Sequence, residues 1–262
     1  MASYPPPPPA PKANSGMIVL VVAIAAVAVL VLCGGAATAL YVLGHRKSSS
    51  AQAAQTATPP ESAPAPPSAN GSAGGCAWTP ATGANLKDVG TPPAAHPVTG
   101  TETMRIGTNL GTITVRIDVA KTPCTAASFG YLGSRHFFDN SPCHRLVASG
   151  IYVLQCGDPS GTGSGGPGYT FGDENLSGTT GGVYPRGTVA MANAGPGTNG
   201  SQFFLVFKDS PLQPDYTPFG TVTGGLSVVD QVAAGGDDGA FGQSAGGGHP
   251  KIKITLMSIT VS

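Results

Sequence analysis

The sequence predicts a mainly β domain, a closed antiparallel barrel or a sandwich capped by two helices, preceded by one transmembrane helix and a disordered linker. Three observations lead to this prediction. Residues 101–262 contain short apolar runs bounded by Gly, Pro and Asn, which is typical of antiparallel strands. Only two segments in that range have helical spacing. An uncharged run covers 17–43, and about 20 apolar residues suffice to cross a bilayer.

The first two segments are a tail and a membrane span. Residues 1–16 contain YPPPPPAP, which favours polyproline II, and we interpret them as a proline-rich cytoplasmic tail. The 17–43 run is predicted to be an uncleaved helix, because a signal peptide has an apolar region of only about 7–15 residues. The rival is a cleaved signal peptide, since ATA at 37–39 resembles a cleavage site.

The orientation of the span rests on two conflicting signals. Arg46 and Lys47 follow the span, which favours a cytoplasmic location for everything after it. Four of the five cysteines also follow it, an even set suited to disulfides in an oxidising compartment. We give the cysteines more weight and predict a single-pass protein of the cell membrane with its folded domain extracytoplasmic.

Three segments follow the span. Residues 44–75 are rich in Pro, Ala and Ser and have almost no large apolar side chains, so they are predicted to be a disordered linker. Residues 76–100 form a lead-in segment whose Trp78 is expected to pack on the domain. The folded domain covers 101–262, a normal length for a single domain.

Strands and helices alternate along this domain. A hairpin over 103–118 turns at Asn109-Leu110-Gly111. Thr122 and Pro123 then begin a helix, because they fit its N-cap and first turn. The remaining predicted strands are 143–147, 152–156, 188–192, 202–207, 217–223 and a closing strand within 251–262, with a second helix at 226–235.

Composition and spacing exclude several functions. The chain has 13 basic and 13 acidic residues, so it lacks the basic patch of a nucleic-acid-binding protein. The string GTGSGG at 161–166 matches a dinucleotide fingerprint, but Pro167-Gly168 follows it instead of a helix. The cysteines lack the C-x-x-C spacing of a zinc site, and the histidines form no helical pair. We therefore predict no metal and no cofactor.

Amide and aromatic side chains recur in two strings of the domain. They are CHRLVASGIYVLQCGDPSGTGSGGPGYTFGDEN at 143–175 and MANAGPGTNGSQFF at 191–204. Together with PFG at 218–220, they resemble the cyclophilins, which are peptidyl-prolyl cis–trans isomerases, over about 103–262. With its predicted span and linker, the chain resembles the membrane-anchored actinobacterial members. The resemblance implies an eight-stranded antiparallel barrel capped by two helices.

The resemblance also implies a role for each site residue. Arg145 would donate to the prolyl nitrogen, and Gln155 would support it and hold the substrate carbonyl. Phe204, Tyr152, Val153 and Leu212 would form the slot for the proline ring. The other implied substrate contacts are His144, Gly163, Ser164, Ala192, Asn193, Ala194, Gln202 and Tyr216. The implied partners are proline-containing polypeptides and, weakly, cyclosporin.

Several positions depart from the family pattern. The turn ASGI after Val147 is about two residues longer than the usual PG, and Tyr152 replaces a phenylalanine. Pro211 stands where cyclosporin-sensitive members have tryptophan, and Tyr216 where many have histidine. These departures weaken the expected cyclosporin binding more than the expected isomerase activity.

The cysteines suggest a specific pairing. With a turn near Ser149-Gly150, Cys143 and Cys156 fall at roughly opposite sites of a hairpin, and directly opposed Cα atoms lie about 4.5–5.5 Å apart, close enough for a disulfide. That pair would leave Cys76 to bond with Cys124. The alternative is four free thiols buried as small side chains.

Two functions compete with an isomerase. One is a chaperone module that binds proline peptides in the same groove with weak catalysis. The other is an envelope scaffold that acts through its proline-rich ends. The chain has the family's site residues at Arg145, Gln155, Asn193, Gln202 and Phe204. This favours an enzyme that assists the folding of extracytoplasmic proteins.

Overall fold

The computed structural model describes residues 75–93, 95–242 and 246–262. In this part of the chain, two α-helices, α1 (Pro123–Ser134) and α2 (Leu226–Gly235), accompany thirteen strands. The strands are β1 (Thr79–Pro80), β2 (Thr101–Thr108), β3 (Gly111–Asp118), β4 (Ser141–Pro142), β5 (Arg145–Ser149), β6 (Ile151–Cys156), β7 (Tyr169–Thr170), β8 (Val183–Tyr184), β9 (Thr188–Met191), β10 (Phe203–Val206), β11 (Ser210–Pro211), β12 (Pro218–Gly224) and β13 (Thr255–Val261).

Nine of these strands form one antiparallel sheet in the order β4-β13-β2-β3-β12-β9-β10-β6-β5. The prediction of a mainly β domain with two helices is confirmed, and all eight predicted strands belong to this sheet. The predicted closed, eight-stranded barrel needs correction. A ninth strand, β4, is present, and among the described residues the ladder has no pairing between its end strands β4 and β5.

The gap between the two end strands is bridged by the chain that precedes β13. The Cys143 N–H donates to the Ile254 carbonyl at 3.0 Å, and the Leu146 N–H donates to the Gly248 carbonyl at 2.8 Å. Gly248 returns a bond from its own N–H to the Leu146 carbonyl at 3.0 Å. Residues 248–254 therefore satisfy backbone groups that strand-to-strand pairing leaves open at this edge.

A distant carboxylate caps helix α1. Thr122 precedes the helix as predicted, but its hydroxyl donates to the Asp118 carbonyl and makes no cap bond. Glu174 accepts hydrogen bonds from the N–H groups of Cys124 at 2.9 Å and Thr125 at 2.8 Å. Negative charge at a helix N-terminus is favourable, so Glu174 satisfies the first turn from fifty residues away.

Alternation along the strands separates two apolar clusters. The larger cluster lies between the sheet and the helices, where the ring of Phe129 stacks on Phe219 at 4.9 Å and on Phe138 at 5.5 Å. The smaller cluster lies on the opposite faces of β5, β6, β9 and β10. Because side chains alternate between faces along a strand, each of these four strands contributes to both clusters.

The lead-in segment packs on the domain. The ring of Trp78 makes edge contacts with Tyr169 at 5.2 Å and Phe171 at 5.4 Å, and β1 pairs with β7. The predicted tail at 1–16, the span at 17–43 and the linker at 44–75, except Gly75, lie outside the described residues. Over the described ranges, no helix combines the length and apolar character needed to cross a membrane.

The structure contains two disulfides, Cys76–Cys124 and Cys143–Cys156. The β5–β6 hairpin turns at Gly150, whereas the expected turn lay between Ser149 and Gly150. Extending the observed pairing would place Cys156 one residue away from the position directly opposite Cys143. Because β5 begins only at Arg145, the preceding residues are free of the ladder, and the two Cα atoms approach to 4.0 Å.

Candidate active site

The register of three strands brings a row of polar side chains together on one face of the sheet. Arg145 of β5 lies directly opposite Gln155 of β6, and Gln155 lies directly opposite Phe204 of β10. Gln202 precedes Phe204 by two residues and so projects to the same side. Two of the strongest sequence candidates, Arg145 and Gln155, are thus neighbours because of strand pairing.

Hydrogen bonds join this row into a chain. Arg145 Nη1 donates to Gln155 Oε1 at 3.0 Å, and Gln155 Nε2 donates to Gln202 Oε1 at 2.8 Å. Gln202 Nε2 in turn donates to the carbonyls of Gly163 at 3.0 Å and Gly165 at 2.9 Å. Each amide is oriented by the next group in this series. The orientation of the Arg145 guanidinium therefore depends, through Gln155 and Gln202, on the carbonyls of the 163–165 loop.

Arg145 is half-buried, and its side chain has a second support. Its Nε donates to the Gly246 carbonyl at 3.2 Å. Burial lowers the pKa of Arg145, and the neighbouring Tyr216 opposes that shift. An arginine stays protonated in proteins, so the group remains a fixed positive donor with no acceptor capacity.

Asp158 holds the 163–165 loop, which lies at the opposite end of this series of hydrogen bonds from Arg145. Its carboxylate is fully buried and accepts bonds from the N–H groups of Ser160 at 2.7 Å, Gly163 at 2.7 Å and Gly165 at 3.0 Å. Burial alone would raise the pKa of Asp158, but the hydrogen bonds from the loop outweigh it and the pKa is lowered. Sequence reasoning missed this residue, because its partners are mostly backbone groups.

The smaller apolar cluster lies next to the polar row, and we call it the slot because it contains predicted residues of the proline slot. Its buried members include Val147, Val153 and Phe204, and Leu212 and Tyr216 pack against them. The ring of Tyr216 meets Phe204 edge-on at 5.6 Å between centroids. The predicted slot residues Phe204, Val153 and Leu212 are therefore brought together.

Tyr184 belongs to the slot but was not among the candidates. It is fully buried, its hydroxyl donates to the Tyr216 carbonyl at 2.7 Å, and the Tyr216 N–H donates to that hydroxyl at 3.1 Å. This pair of bonds holds Tyr216 against Phe204. The two-residue strand β8 that carries Tyr184 is too short to leave a periodic signal.

Two candidates present little or no surface to the slot. Tyr152 packs edge-on against Phe207 at 5.9 Å and lies under the Lys208 ammonium, outside the slot cluster, because adjacent residues of β6 face opposite ways. His144 is 4% exposed, which leaves almost no surface for a substrate. Burial lowers the pKa of His144, while Asp158 opposes the shift, so the imidazole is neutral at neutral pH.

A cavity of about 650 Å³ adjoins the polar row. Its lining includes five predicted residues, Gly163, Ser164, Ala192, Asn193 and Ala194, beside Gln155 and Gln202. The amide of Asn193 is engaged within the protein, since Nδ2 donates to the Asp215 carbonyl at 2.8 Å and Oδ1 accepts from the Gly195 N–H at 3.2 Å. Asn193 therefore holds the segment around Gly195, at the edge of the cavity, against Asp215.

One group in the described chain has the composition of a metal site. Cys76, His96 and Cys124 bring their ligand atoms within 4.8 Å of one another. The two sulfurs are joined in a disulfide. Zinc binds thiolates, so this group does not offer the ligands of a zinc site in its oxidised form.

Comparison with known proteins places the chain beside one family. Residues 103–261 match the family model described as cyclophilin type peptidyl-prolyl cis-trans isomerase/CLD. A probable peptidyl-prolyl cis-trans isomerase B of Mycobacterium leprae is 41% identical over 199 residues, which is 70% of this chain and 65% of that protein. The Mycobacterium tuberculosis protein of the same description is 40% identical over 77% of this chain and 68% of its own length. This chain thus spans slightly under two thirds of the first relative.

Solved structures agree with the sequence relatives. A cyclophilin-type isomerase of Cryptosporidium parvum superposes with a TM-score of 0.52 at 27% identity, covering 62% of this chain and 98% of that one. The same protein in the presence of the dipeptide Ala-Pro gives a TM-score of 0.51 at 28% identity, over 61% and 98% of the two chains. The family-model match covers the polar row, the slot and both helices, and it begins after the lead-in segment.

Proposed function

Because this chain belongs to the cyclophilin-type peptidyl-prolyl cis-trans isomerases, and is an enzyme of that class, we propose that it accelerates X-Pro rotation in extracytoplasmic proteins and so assists their folding. Its substrates are proline-containing polypeptides, which enter the groove between the polar row and the slot. The conclusion rests above all on the Arg145 guanidinium, held by Gln155 beside the slot around Phe204.

The energetic demand of the reaction suits such a site. Rotation about a peptide bond breaks amide conjugation, with a barrier of about 18–20 kcal/mol. The uncatalysed X-Pro flip takes roughly tens to hundreds of seconds. Turnover at about 1–10³ per second then requires a reduction of only about 3–7 kcal/mol. A non-covalent, metal-independent mechanism is sufficient for a reduction of that size.

Arg145 supplies the reduction by differential binding. In the planar amide the prolyl nitrogen lone pair is delocalised, and in the twisted transition state it is localised and accepts a hydrogen bond. The hydrogen bond from a guanidinium N–H to that nitrogen is therefore stronger in the transition state than in the ground state, and this difference accelerates rotation. The slot holds the ring of the proline, and Gln155, whose Nε2 already bonds Gln202, orients the guanidinium.

A peptide isomerisation assay tests the proposal. The purified chain should accelerate the cis–trans exchange of an Ala-Pro peptide, measured by NMR exchange spectroscopy, and denatured protein should not. A chain that binds the peptide without accelerating exchange would favour the alternative, a proline-binding chaperone or scaffold.

The cellular location is a further part of the proposal. Residues 17–43 hold the chain in the cell membrane by a single pass, with 1–16 inside and the catalytic domain outside the cytoplasm. The uncharged run and the two disulfides support this arrangement, because disulfides persist in oxidising compartments. The full chain should sediment with membranes, and added protease should digest the domain in spheroplasts. Soluble or protease-protected protein would contradict it.

Cyclosporin is proposed to bind weakly. Pro211 is exposed in β11 and offers neither the N–H donor nor the large ring of a tryptophan. Tyr216, where many members have histidine, is committed to the slot through Tyr184. Titration with cyclosporin should give weak inhibition, and restoring a tryptophan with Pro211→Trp should strengthen it.

A further inference from the structure

Three side chains remote from the polar row gather at the start of α1. Cys76 and His96 belong to the lead-in segment, and Cys124 lies in the first turn of the helix. Their ligand atoms lie within 4.8 Å of one another. We propose that reduction of the Cys76–Cys124 disulfide converts this group into a binding site for one zinc ion. The inference goes beyond the proposed isomerase function and does not depend on it.

The three side chains have the donor types that zinc prefers. Zinc binds Cys sulfur at about 2.3 Å and His nitrogen at about 2.0–2.1 Å in a tetrahedral arrangement, which places two bound sulfurs about 3.8 Å apart. The Cα atoms of Cys76 and Cys124 are 5.5 Å apart, so rotation of the two side chains can reach this separation. The cysteines are 48 positions apart in the chain, which is why spacing alone predicted no metal.

The imidazole of His96 is poorly satisfied in the oxidised protein. Its Nε2 lies 3.1 Å from Cys76 Sγ, and sulfur is only a weak acceptor. Its Nδ1 is buried, and no group in the described part of the chain hydrogen-bonds it. Most buried polar atoms in native proteins have partners, so this ring needs an explanation. With the ring proton on Nδ1, the Nε2 lone pair faces the sulfurs, where a zinc ion would give it a strong partner.

A carboxylate makes the surroundings favourable for a cation. Glu174 accepts hydrogen bonds from the N–H groups of Cys124 at 2.9 Å and Thr125 at 2.8 Å, so its negative charge lies beside the site. Two free thiolates next to this charge would be repelled by it. A divalent cation offsets that repulsion. Both carboxylate oxygens are occupied in capping α1, so a water molecule completes the tetrahedron.

The site is accessible to a reductant and to an ion. Its three side chains are all partly exposed, and a cavity of about 300 Å³ borders His96. Cys143 and Cys156, by contrast, are 3% and 0% exposed. A dithiol should therefore open the Cys76–Cys124 bond first. In this exchange the dithiol is oxidised to a disulfide and the two cysteines become thiols. Zinc then binds both sulfurs and displaces their two protons.

Zinc would preserve a cross-link that reduction removes. The disulfide joins the lead-in segment to α1. Without it, the segment is held by the short β1–β7 ladder and by packing such as that of Trp78. An ion bound by Cys76, His96 and Cys124 connects the same two parts of the chain. Because a ligand that binds only the folded state stabilises it, zinc should raise the Tm of the reduced protein.

The experiment titrates the full-length chain with Zn²⁺ after treatment with a dithiol and its removal. Every protein carries Cys33→Ser, which eliminates the one cysteine outside the two disulfides. Alkylation and peptide mapping verify that Cys76 and Cys124 are reduced and that the Cys143–Cys156 bond is intact. Calorimetry measures the stoichiometry and the affinity, and thermal unfolding measures the Tm. The oxidised chain is one control, and titration with Mg²⁺, which prefers oxygen ligands, is another.

Two variants test the ligands. His96→Gln removes the imidazole and keeps both cysteines, so the disulfide can still form and support folding before reduction. His136→Gln, at an exposed histidine paired with Asp139, is its matched control. Cys76→Ser/Cys124→Ser removes both sulfurs and should abolish tight binding.

The reduced chain should bind one Zn²⁺, and His96→Gln should weaken binding by about 100-fold or more, since loss of an outer-shell partner alone costs 10–100-fold. The oxidised chain should not bind zinc tightly, and His136→Gln should bind as the reduced parent does. Zinc should raise the Tm of the reduced parent but not of the oxidised chain.

Three results would overturn the inference: equal zinc affinity before and after reduction, unchanged affinity in His96→Gln, or a reduced chain whose Tm does not respond to Zn²⁺. Isomerase activity enters none of these measurements, so failure of the proposed function leaves the test of the zinc site intact.

Discussion

Arg145 Nη1 and Gln155 Oε1 lie 3.0 Å apart across directly opposed positions of one hairpin. The guanidinium is thus oriented by a neighbour whose own position is set by backbone pairing. Strand register therefore sets the position of this pair, and the 163–165 loop orients it through Gln202.

Arg145→Ala is expected to lower kcat/KM by about 100-fold or more, the usual effect of removing one donor that acts in a transition state. Arg145→Lys should restore little, because an ammonium cannot reproduce the planar fork that contacts Gln155. NMR exchange on a proline peptide measures the rates. Arg116→Ala, at an exposed arginine of β3, is the control, and near-wild-type activity in Arg145→Ala would refute the mechanism.

The rate should be independent of pH above 6.5, the ordinary pKa of histidine. Burial lowers the pKa of His144, Asp158 opposes the shift, and Arg145 and His249 add to it. The imidazole therefore gains a proton only in acid, where its charge would lie beside Arg145 and lower the rate. His144→Gln should remove this acid decline, and His136→Gln, at an exposed loop position, should not. A bell-shaped profile centred near neutrality would contradict the prediction.

Asp158→Asn is expected to lower the free energy of unfolding by about 1.5–3 kcal/mol, because the carboxylate accepts several charge-assisted hydrogen bonds. The pKa of Asp158 is lowered in the folded protein. Its stabilisation is therefore complete above about 3.9, the pKa of an unfolded Asp, and is lost as the pH falls through the lower folded value. Urea unfolding over a pH series measures the difference between the two proteins.

The same variant should lower kcat/KM by about tenfold or more, since a small displacement of the 163–165 carbonyls shifts Gln202 and, through it, Arg145. Asp118→Asn removes a surface ion pair with Lys121 and keeps an oxygen that can accept from the Lys121 N–H, so it is the control for both measurements. A pH-independent stability difference would show that the Asp158 charge is not responsible.

Loss of either disulfide should destabilise the protein, and the cost should be greater for the bond that closes the longer loop. The bonds join residues 13 and 48 positions apart, which corresponds to about 3 and about 4 kcal/mol in the chain-entropy model. The double variants Cys143→Ser/Cys156→Ser and Cys76→Ser/Cys124→Ser, compared by urea unfolding, test the two values. Non-reducing peptide mapping of protein from an oxidising compartment should recover these two pairs, and free thiols would refute both.

The strands could be predicted because their apolar residues alternate over several positions. The same alternation explains why Tyr152 lies outside the slot cluster. Tyr152 and Val153 were both assigned to the slot, although neighbours in a strand face opposite sides, and only Val153 lies there. The two-residue period of a strand therefore excludes two adjacent residues from the same face of the sheet.

Contacts between distant loops left no signal in the sequence. Glu174 caps a helix about fifty residues earlier, and Tyr184 reaches the slot from a strand of two residues. Asp158 acts mainly on backbone N–H groups, which every non-proline residue offers, so no sequence pattern identifies its partners. These three side chains depend on the three-dimensional arrangement of loops, which a linear pattern does not encode.

The Cys76–Cys124 bond has a mechanical consequence. A pulling force on the chain before Cys76 would pass through the disulfide into the first turn of α1, which packs on the core through Phe129. The short ladder between β1 and β7 would carry little of that load, because it lies beyond the covalent junction. A force applied before Cys76 would therefore leave the β1–β7 pairing, and the side of the cavity that Pro80 and Ala81 line, undisturbed.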